Sequence, residues 1–307
     1  MVELAPGVPR EVSTGDSELF VVPLSGGCQV AVAGEERFTL NGRDSVFTRI
    51  TDFAYVGRDA SGRLTSAAGA VVALPSAVCE RKLPARYGPA EDVPVELRGA
   101  GPATRQVANF GVPGAWEHAD KLICVEVITP PGNWSSYPAH KHDASRPCPL
   151  VIEEIYYYRI AGPDQVTPSR QGFGLHRTYT GPEHRAAGLA PLDEFLQVRD
   201  HDVVLIPHGY HGPCVAAPGY PMYYLNVMAG PAQPRAWAFC DDPAHAWVRS
   251  SWDGEPPDPR LPLTSAAGRV SDPPGGAPSA AETGTSVSDT GTSFSDTGTR
   301  ADQGAFR

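Results

Sequence analysis

Residues 154–160 read Glu154-Ile155-Tyr156-Tyr157-Tyr158-Arg159-Ile160. Aromatic and β-branched side chains dominate and no helical period is present, so the stretch predicts a β-strand. Successive side chains on a strand point to opposite faces. Glu154, Tyr156 and Tyr158 therefore share one face, Tyr157 and Arg159 share the other, and Glu153 points away from Glu154. If Glu154 faces the interior of a barrel, Tyr156 and Tyr158 line that interior too, as substrate contacts or as aromatic core.

The same punctuated rhythm runs through most of the 307 residues. Leu19–Leu24 meets Ser25-Gly26-Gly27, Cys28–Ala33 meets Gly34-Glu35, Phe38–Leu40 meets Asn41-Gly42, and Ala70–Leu74 ends at Pro75. Further strands are expected over residues 121–129, 172–180, 202–206 and 221–228, with one helical turn within 182–197. Many short apolar runs separated by turn residues predict an all-β protein of antiparallel barrels or sandwiches. Two β-rich halves are expected, over residues 1–84 and 105–264, joined by a Pro- and Gly-rich connector at 85–104. Residues 265–307 are rich in Ser, Thr, Gly, Ala and Pro, and Thr283–Asp289 is echoed by Thr290–Asp296. With so few large apolar residues, this tail is expected to be disordered.

Outward from Glu154 lie His140-Lys141-His142 and, later, His211 after Pro207-His208-Gly209-Tyr210. On a strand, His140 and His142 point to one face and can reach one ion together. Three imidazoles and the Glu154 carboxylate suit one divalent ion, Zn²⁺, Mn²⁺ or Fe²⁺, and leave room for water or substrate. Arg177 and Tyr179 share a face of the strand near residue 175. Arg177 is suited to a carboxylate or to a structural ion pair, and His176 points the other way unless a bulge intervenes. Tyr156, Tyr179 and Lys141 complete the candidate substrate contacts. Glu126, a carboxylate within Leu122-Ile123-Cys124-Val125-Glu126-Val127-Ile128, is either a proton-transfer group or a paired structural carboxylate. Tyr156 and Tyr179 are the other candidate bases, and none of the three is assigned. His208 reads as turn surface, His118, His184 and His201 as loop residues without an evident role, and His245 as packing.

The formal net charge is −10 and no basic stretch follows a phosphate backbone, which speaks against nucleic acid as a partner. Six scattered cysteines without a Cys-x-x-Cys pair suit reduced thiols in a cytoplasmic protein. Neither a leader nor an apolar stretch long enough to span a membrane is evident. A small molecule is the expected partner, and a homo-oligomer is compatible with the pattern.

The segments Gly132-Asn-Trp-Ser-Ser-Tyr-Pro-Ala-His-Lys-His-Asp143, Glu153–Ile160, Asp202–His211 and Tyr223–Pro231 resemble the metal site of cupins. More closely, they resemble the 5-deoxy-glucuronate isomerases of bacterial myo-inositol catabolism, over about residues 1–250. The related 4-deoxy-L-threo-5-hexosulose-uronate ketol-isomerases share the His-x-His…Glu-x-Tyr…His pattern, which points to Glu154 rather than Glu153. The resemblance implies a two-domain cupin, or bicupin, with His140, His142, Glu154 and His211 on the metal. It implies an aldose–ketose isomerase that turns 5-deoxy-D-glucuronate into 5-dehydro-2-deoxy-D-gluconate through a metal-stabilised enediol. Three departures stand out. Eleven residues separate His142 from Glu154 and must loop out around Arg146-Pro147-Cys148-Pro149. His208 stands where the family often has Arg. The family typically has more chain ahead of Met1, so the first half is expected to be short at its start. An Fe(II) cupin dioxygenase and a non-catalytic sugar-binding cupin remain the alternative readings.

Overall fold

The computed structural model describes residues 1–34, 37–143, 148 and 150–270. The repeat-bearing tail and most of the loop around Arg146 lie outside the described residues. The fold is all-β, and the paired strands are antiparallel throughout. The described residues form one compact unit.

A nine-stranded sheet is organised by one long strand, Ser17–Val32. Its first half pairs with Phe53–Val56, Ala70–Ala73 and Ser76–Val78, and its second half with Arg37–Arg43 and Ser61–Thr65. Ser25-Gly26-Gly27, which reads as a turn, is instead an irregularity inside this strand, flanked by two register shifts. Gly26 has φ +71°, and a Cβ there would overlap the Gly69 carbonyl, so the bend requires glycine.

Two six-stranded sheets follow. One runs Val95–Arg98, Arg105–Ala108, Leu122–Thr129, Met222–Ala229, Glu153–Ile160, Val203–Ile206 in spatial order. The other contains Asp193–Arg199, Phe173–Tyr179, Tyr210–Ala216, His140–Lys141 and Cys240–Asp241, with Trp134–Ser135 alongside. The residues expected to connect the halves contribute strands of their own: Arg86–Gly88 pairs with Phe53–Val56, and Val95–Arg98 with Arg105–Ala108. Within 182–197 a single helical turn, Pro182–Ala186, precedes the strand Asp193–Arg199. Residues 264–269 form a small hairpin, held by Ile50 N–H to the Ser265 carbonyl.

The sheet carrying Glu154 is covered on both faces. One face places Ile123, Val125, Tyr156, Tyr158, Tyr224 and Met228 in a core shared with the second six-stranded sheet. The opposite face packs Cys124, Ile128, Tyr157 and Tyr223 against Phe20, Leu24, Phe47 and Tyr55 of the first half. This explains why every residue of Leu122–Thr129 is buried and why its sequence shows no polar alternation. Glu18 ties the halves together. Fully buried, it accepts the Tyr55 hydroxyl at 2.6 Å and the backbone N–H groups of Asp120, Lys121 and Leu122 at 2.6–2.7 Å. Among the described residues no helix is long and apolar enough to cross a membrane.

Candidate metal centre

Glu154, Tyr156 and Tyr158 do share the barrel interior, and Glu153 is exposed. The two histidine-bearing strands meet this face from the other sheet. His140 is the register partner of His211, and His211 is the partner of Thr178. Potential ligand atoms of His140, His142 and His211 all lie within 4.8 Å of one another. Glu154 Oε2 sits 2.9 Å from His142 Nε2 and 2.9 Å from His211 Nε2.

A bulge aims His211. Between Phe173–Tyr179 and Tyr210–Ala216 the register advances two residues on one strand, His176 to Thr178, and three on the other, Cys214 to His211. In a regular strand, residues three apart face opposite ways. The extra residue at Gly212-Pro213 lets Cys214 and His211 both face inward, where Cys214 meets His176 and Tyr158. Gly212 has φ +93°, and a Cβ there would overlap the Ser136 carbonyl oxygen. Gly212→Ala should therefore cost more than about 2 kcal/mol, read as a lower midpoint in urea unfolding.

Hydrogen bonding orients the ligands. The Ile152 carbonyl can only accept, and it lies 2.8 Å from His142 Nδ1. That nitrogen carries the proton, and in the neutral ring Nε2 keeps a lone pair directed at the centre. Asn226 donates to Glu154 Oε1, leaving Oε2 for the histidines. Burial would raise the Glu154 pKa, yet the adjacent His211 and His142 rings hold it below the carboxylate range. Burial and the neighbouring His211 push His140 well below the ordinary imidazole value, so it is neutral. Both ring nitrogens of His211 are buried without a hydrogen bond, although Nε2 is close to Glu154 Oε2. Atoms this close but misaligned for one another are arranged around a shared third point. Three imidazole nitrogens are consistent with a divalent ion there, and the Glu154 carboxylate lies beside two of them.

The other candidate residues are distributed differently. Glu126 is on the face turned toward the first half, where Arg43 donates to both its oxygens and Tyr223 donates at 2.6 Å. It is a paired structural carboxylate, separated by the sheet from the histidines. Arg177 and Tyr179 are on the outward face of their strand, because Gly174, His176 and Thr178 take the buried positions. Arg177 pairs with exposed Asp193 at 2.9 Å and stacks on Tyr179, whose hydroxyl donates to Asp242. Replacing Arg177 with Ala should change stability by less than about 1 kcal/mol and leave KM for an acidic sugar unaltered in steady-state assays. Lys141 alternates with the two histidines and is buried on the reverse side of their strand, 3.4 Å from Asp143. His208 is half-buried and bonds to the Ala190 carbonyl.

Several residues escaped the sequence reading. His176 is completely buried, bonded to Tyr158 and Thr178 and packed edge-on against Tyr156. Burial lowers its pKa to about 3, so it is neutral. Ser136 lies between the Tyr156 and Tyr224 hydroxyls at 3.3 and 3.2 Å. His184, read as a loop residue, is fully buried on the short helix. For Asn226 a signal existed, since one amide within the otherwise apolar Met222–Ala229 demands a partner.

The KduI/IolB family model matches residues 1–248. The chain belongs to the KduI/IolB family. It is 38% identical over 250 residues to the 5-deoxy-glucuronate isomerase of Bacillus velezensis, covering 81% of this chain and 86% of that protein. With the 5-deoxy-glucuronate isomerase of Geobacillus kaustophilus it shares 39% over 250 residues, covering 81% and 84%. An IolB-like crystal structure from Salmonella typhimurium superposes with a TM-score of 0.70 at 35% identity, covering 80% of this chain and 88% of that one. Oxalate decarboxylase from Lactobacillus farciminis shares the fold at 13% identity, with a TM-score of 0.53 over 78% and 77% of the two chains. The family's members are isomerases, and this chain is an isomerase with a cupin-like fold.

Proposed function

We propose that the protein converts 5-deoxy-D-glucuronate to 5-dehydro-2-deoxy-D-gluconate, an aldose–ketose isomerisation in myo-inositol degradation, with His140, His142, Glu154 and His211 holding one divalent ion. The observation that carries this reading is the convergence of three imidazoles and Glu154 inside the barrel of a chain closely similar to proteins named for that activity.

Isomerisation moves a proton between adjacent carbons through an enediol. The bound ion would supply Lewis acidity, making the sugar C–H more acidic and offsetting the developing negative charge. The chain's own residues orient the site and shield it. Asn226 and the Ile152 carbonyl fix Glu154 and His142 in one orientation each. His142, Glu154 and His211 are buried while His140 is partly exposed, so substrate approaches past His140 and water is excluded behind it. Of the three candidate proton-transfer groups only Tyr156 shares the interior, its ring 6.1 Å from that of His211. Burial and the nearby Glu154 charge push its pKa well above the phenol value. It therefore stays protonated and donates a hydrogen bond to a sugar oxygen.

The test is incubation of metal-analysed protein with 5-deoxy-glucuronate, followed by NMR. Appearance of the ketose without oxygen uptake is expected. Oxygen consumption coupled to substrate loss, or binding with no turnover, would overturn the reading.

A further inference from the structure

Behind the histidine strand, on the side away from the barrel interior, lies a buried polar cluster that the proposed chemistry does not use. Asp143 is its hub. One carboxylate oxygen accepts the Gly209 backbone N–H at 2.7 Å and lies 2.9 Å from His184 Nε2. The other is 3.4 Å from the Lys141 ammonium. The tautomer of His184 follows from its surroundings. Gly181 N–H donates to His184 Nδ1 at 2.9 Å, so Nδ1 is the acceptor and Nε2 carries the proton given to Asp143. Lys141 and His184 are both completely buried, and Lys141 also lies over the Tyr210 ring and 3.8 Å from Glu183.

The position of these contacts in the chain gives them a consequence. Asp143 follows His142 directly, and Gly209 precedes His211 by two residues. Strand pairing joins His140 to His211, but His140–Lys141 is only two residues long and ends before His142. Beyond that end, His142 is held by its exchange of hydrogen bonds with Ile152 and by whatever anchors Asp143. The Gly209 conformation, φ +94°, directs its N–H at the carboxylate.

We propose that Asp143 is a positioning residue that clips the chain at His142 to the turn leading into the His211 strand and so sets the separation of two metal-binding imidazoles. It acts through the backbone, not by touching the ion or the sugar. His184 and Lys141 keep the carboxylate aimed. The inference rests on the metal reading above and adds the determinant of its affinity.

The experiment titrates Zn²⁺, and separately Mn²⁺, into metal-free full-length wild type, Asp143→Asn and Asp143→Ala, against a chromophoric chelator. Changes to groups that orient metal ligands typically weaken binding about 10- to 100-fold, and that loss is expected for Asp143→Ala, with a smaller one for Asp143→Asn. At saturating metal, kcat of Asp143→Asn should return to near the wild-type value, since the ligands themselves are intact. The near-isosteric Asn variant decides the matter if Asp143→Ala does not fold. Wild-type metal affinity in Asp143→Asn and in every folded variant overturns the inference, even if the metal-free protein melts earlier. So does a kcat that stays low at saturating metal. Failure of wild type to bind either ion would instead bring down the metal reading on which the inference stands.

Discussion

Replacing His142 with Ala should abolish stoichiometric divalent metal and with it isomerase activity, the largest effect expected from any single change. Substitutions of groups that merely orient a ligand already cost about 10- to 100-fold, so loss of a ligand should exceed about 100-fold in metal affinity. The fold should survive, because His142 lies just past a two-residue strand and the interior face is also packed through Tyr156 against His176 and bonded through Ser136 to the Tyr224 hydroxyl. Elemental analysis of the purified variant, its melting temperature and an NMR assay of turnover together check this. Full turnover by metal-free His142→Ala would refute the metal-dependent mechanism.

The second large effect is on stability, not chemistry. Glu126→Ala should destabilise the protein by about 3–5 kcal/mol, because it leaves the Arg43 guanidinium buried without its counter-charge. Burial by itself would lower the Arg43 pKa, and the Glu126 carboxylate more than offsets this, so the guanidinium stays charged. The Tyr223 hydroxyl loses its acceptor in the same substitution. Chemical denaturation measures the loss. In the fraction that remains folded, kcat should stay within a few-fold of wild type, since Glu126 lies across the sheet from the histidines. A catalytic collapse with unchanged unfolding free energy would reverse the assignment.

These two residues show what could be read from the sequence and what could not. Strand alternation places Glu154, Tyr156 and Tyr158 together and separates Glu153 from them, because a period of two is a property of the strand alone. Alternation groups residues by face but does not say which face is the interior. For Phe173–Tyr179 the grouping of Arg177 with Tyr179 holds, yet the buried side belongs to His176 and Thr178. For Leu122–Thr129 both sides are buried, so a carboxylate in an apolar run carried no information about which core it entered. Lys141, expected among the substrate contacts, is turned by a period of two to the opposite side from His140 and His142. His211 faces inward together with Cys214 only because of the extra residue at Gly212-Pro213, which depends on the partner strand. His184 and Asp143 find each other across 41 residues, a distance over which local pattern is silent.

The sheet that carries Glu154 is a wall shared by two rooms, and only one of them holds the histidines. Any attempt to work with residues 105–270 alone would uncover Cys124, Ile128, Tyr157 and Tyr223 and strand Glu126 without Arg43. The first half thus shelters an apolar face that the second cannot cover for itself, and substitutions there are expected to register as loss of folded protein before they alter turnover.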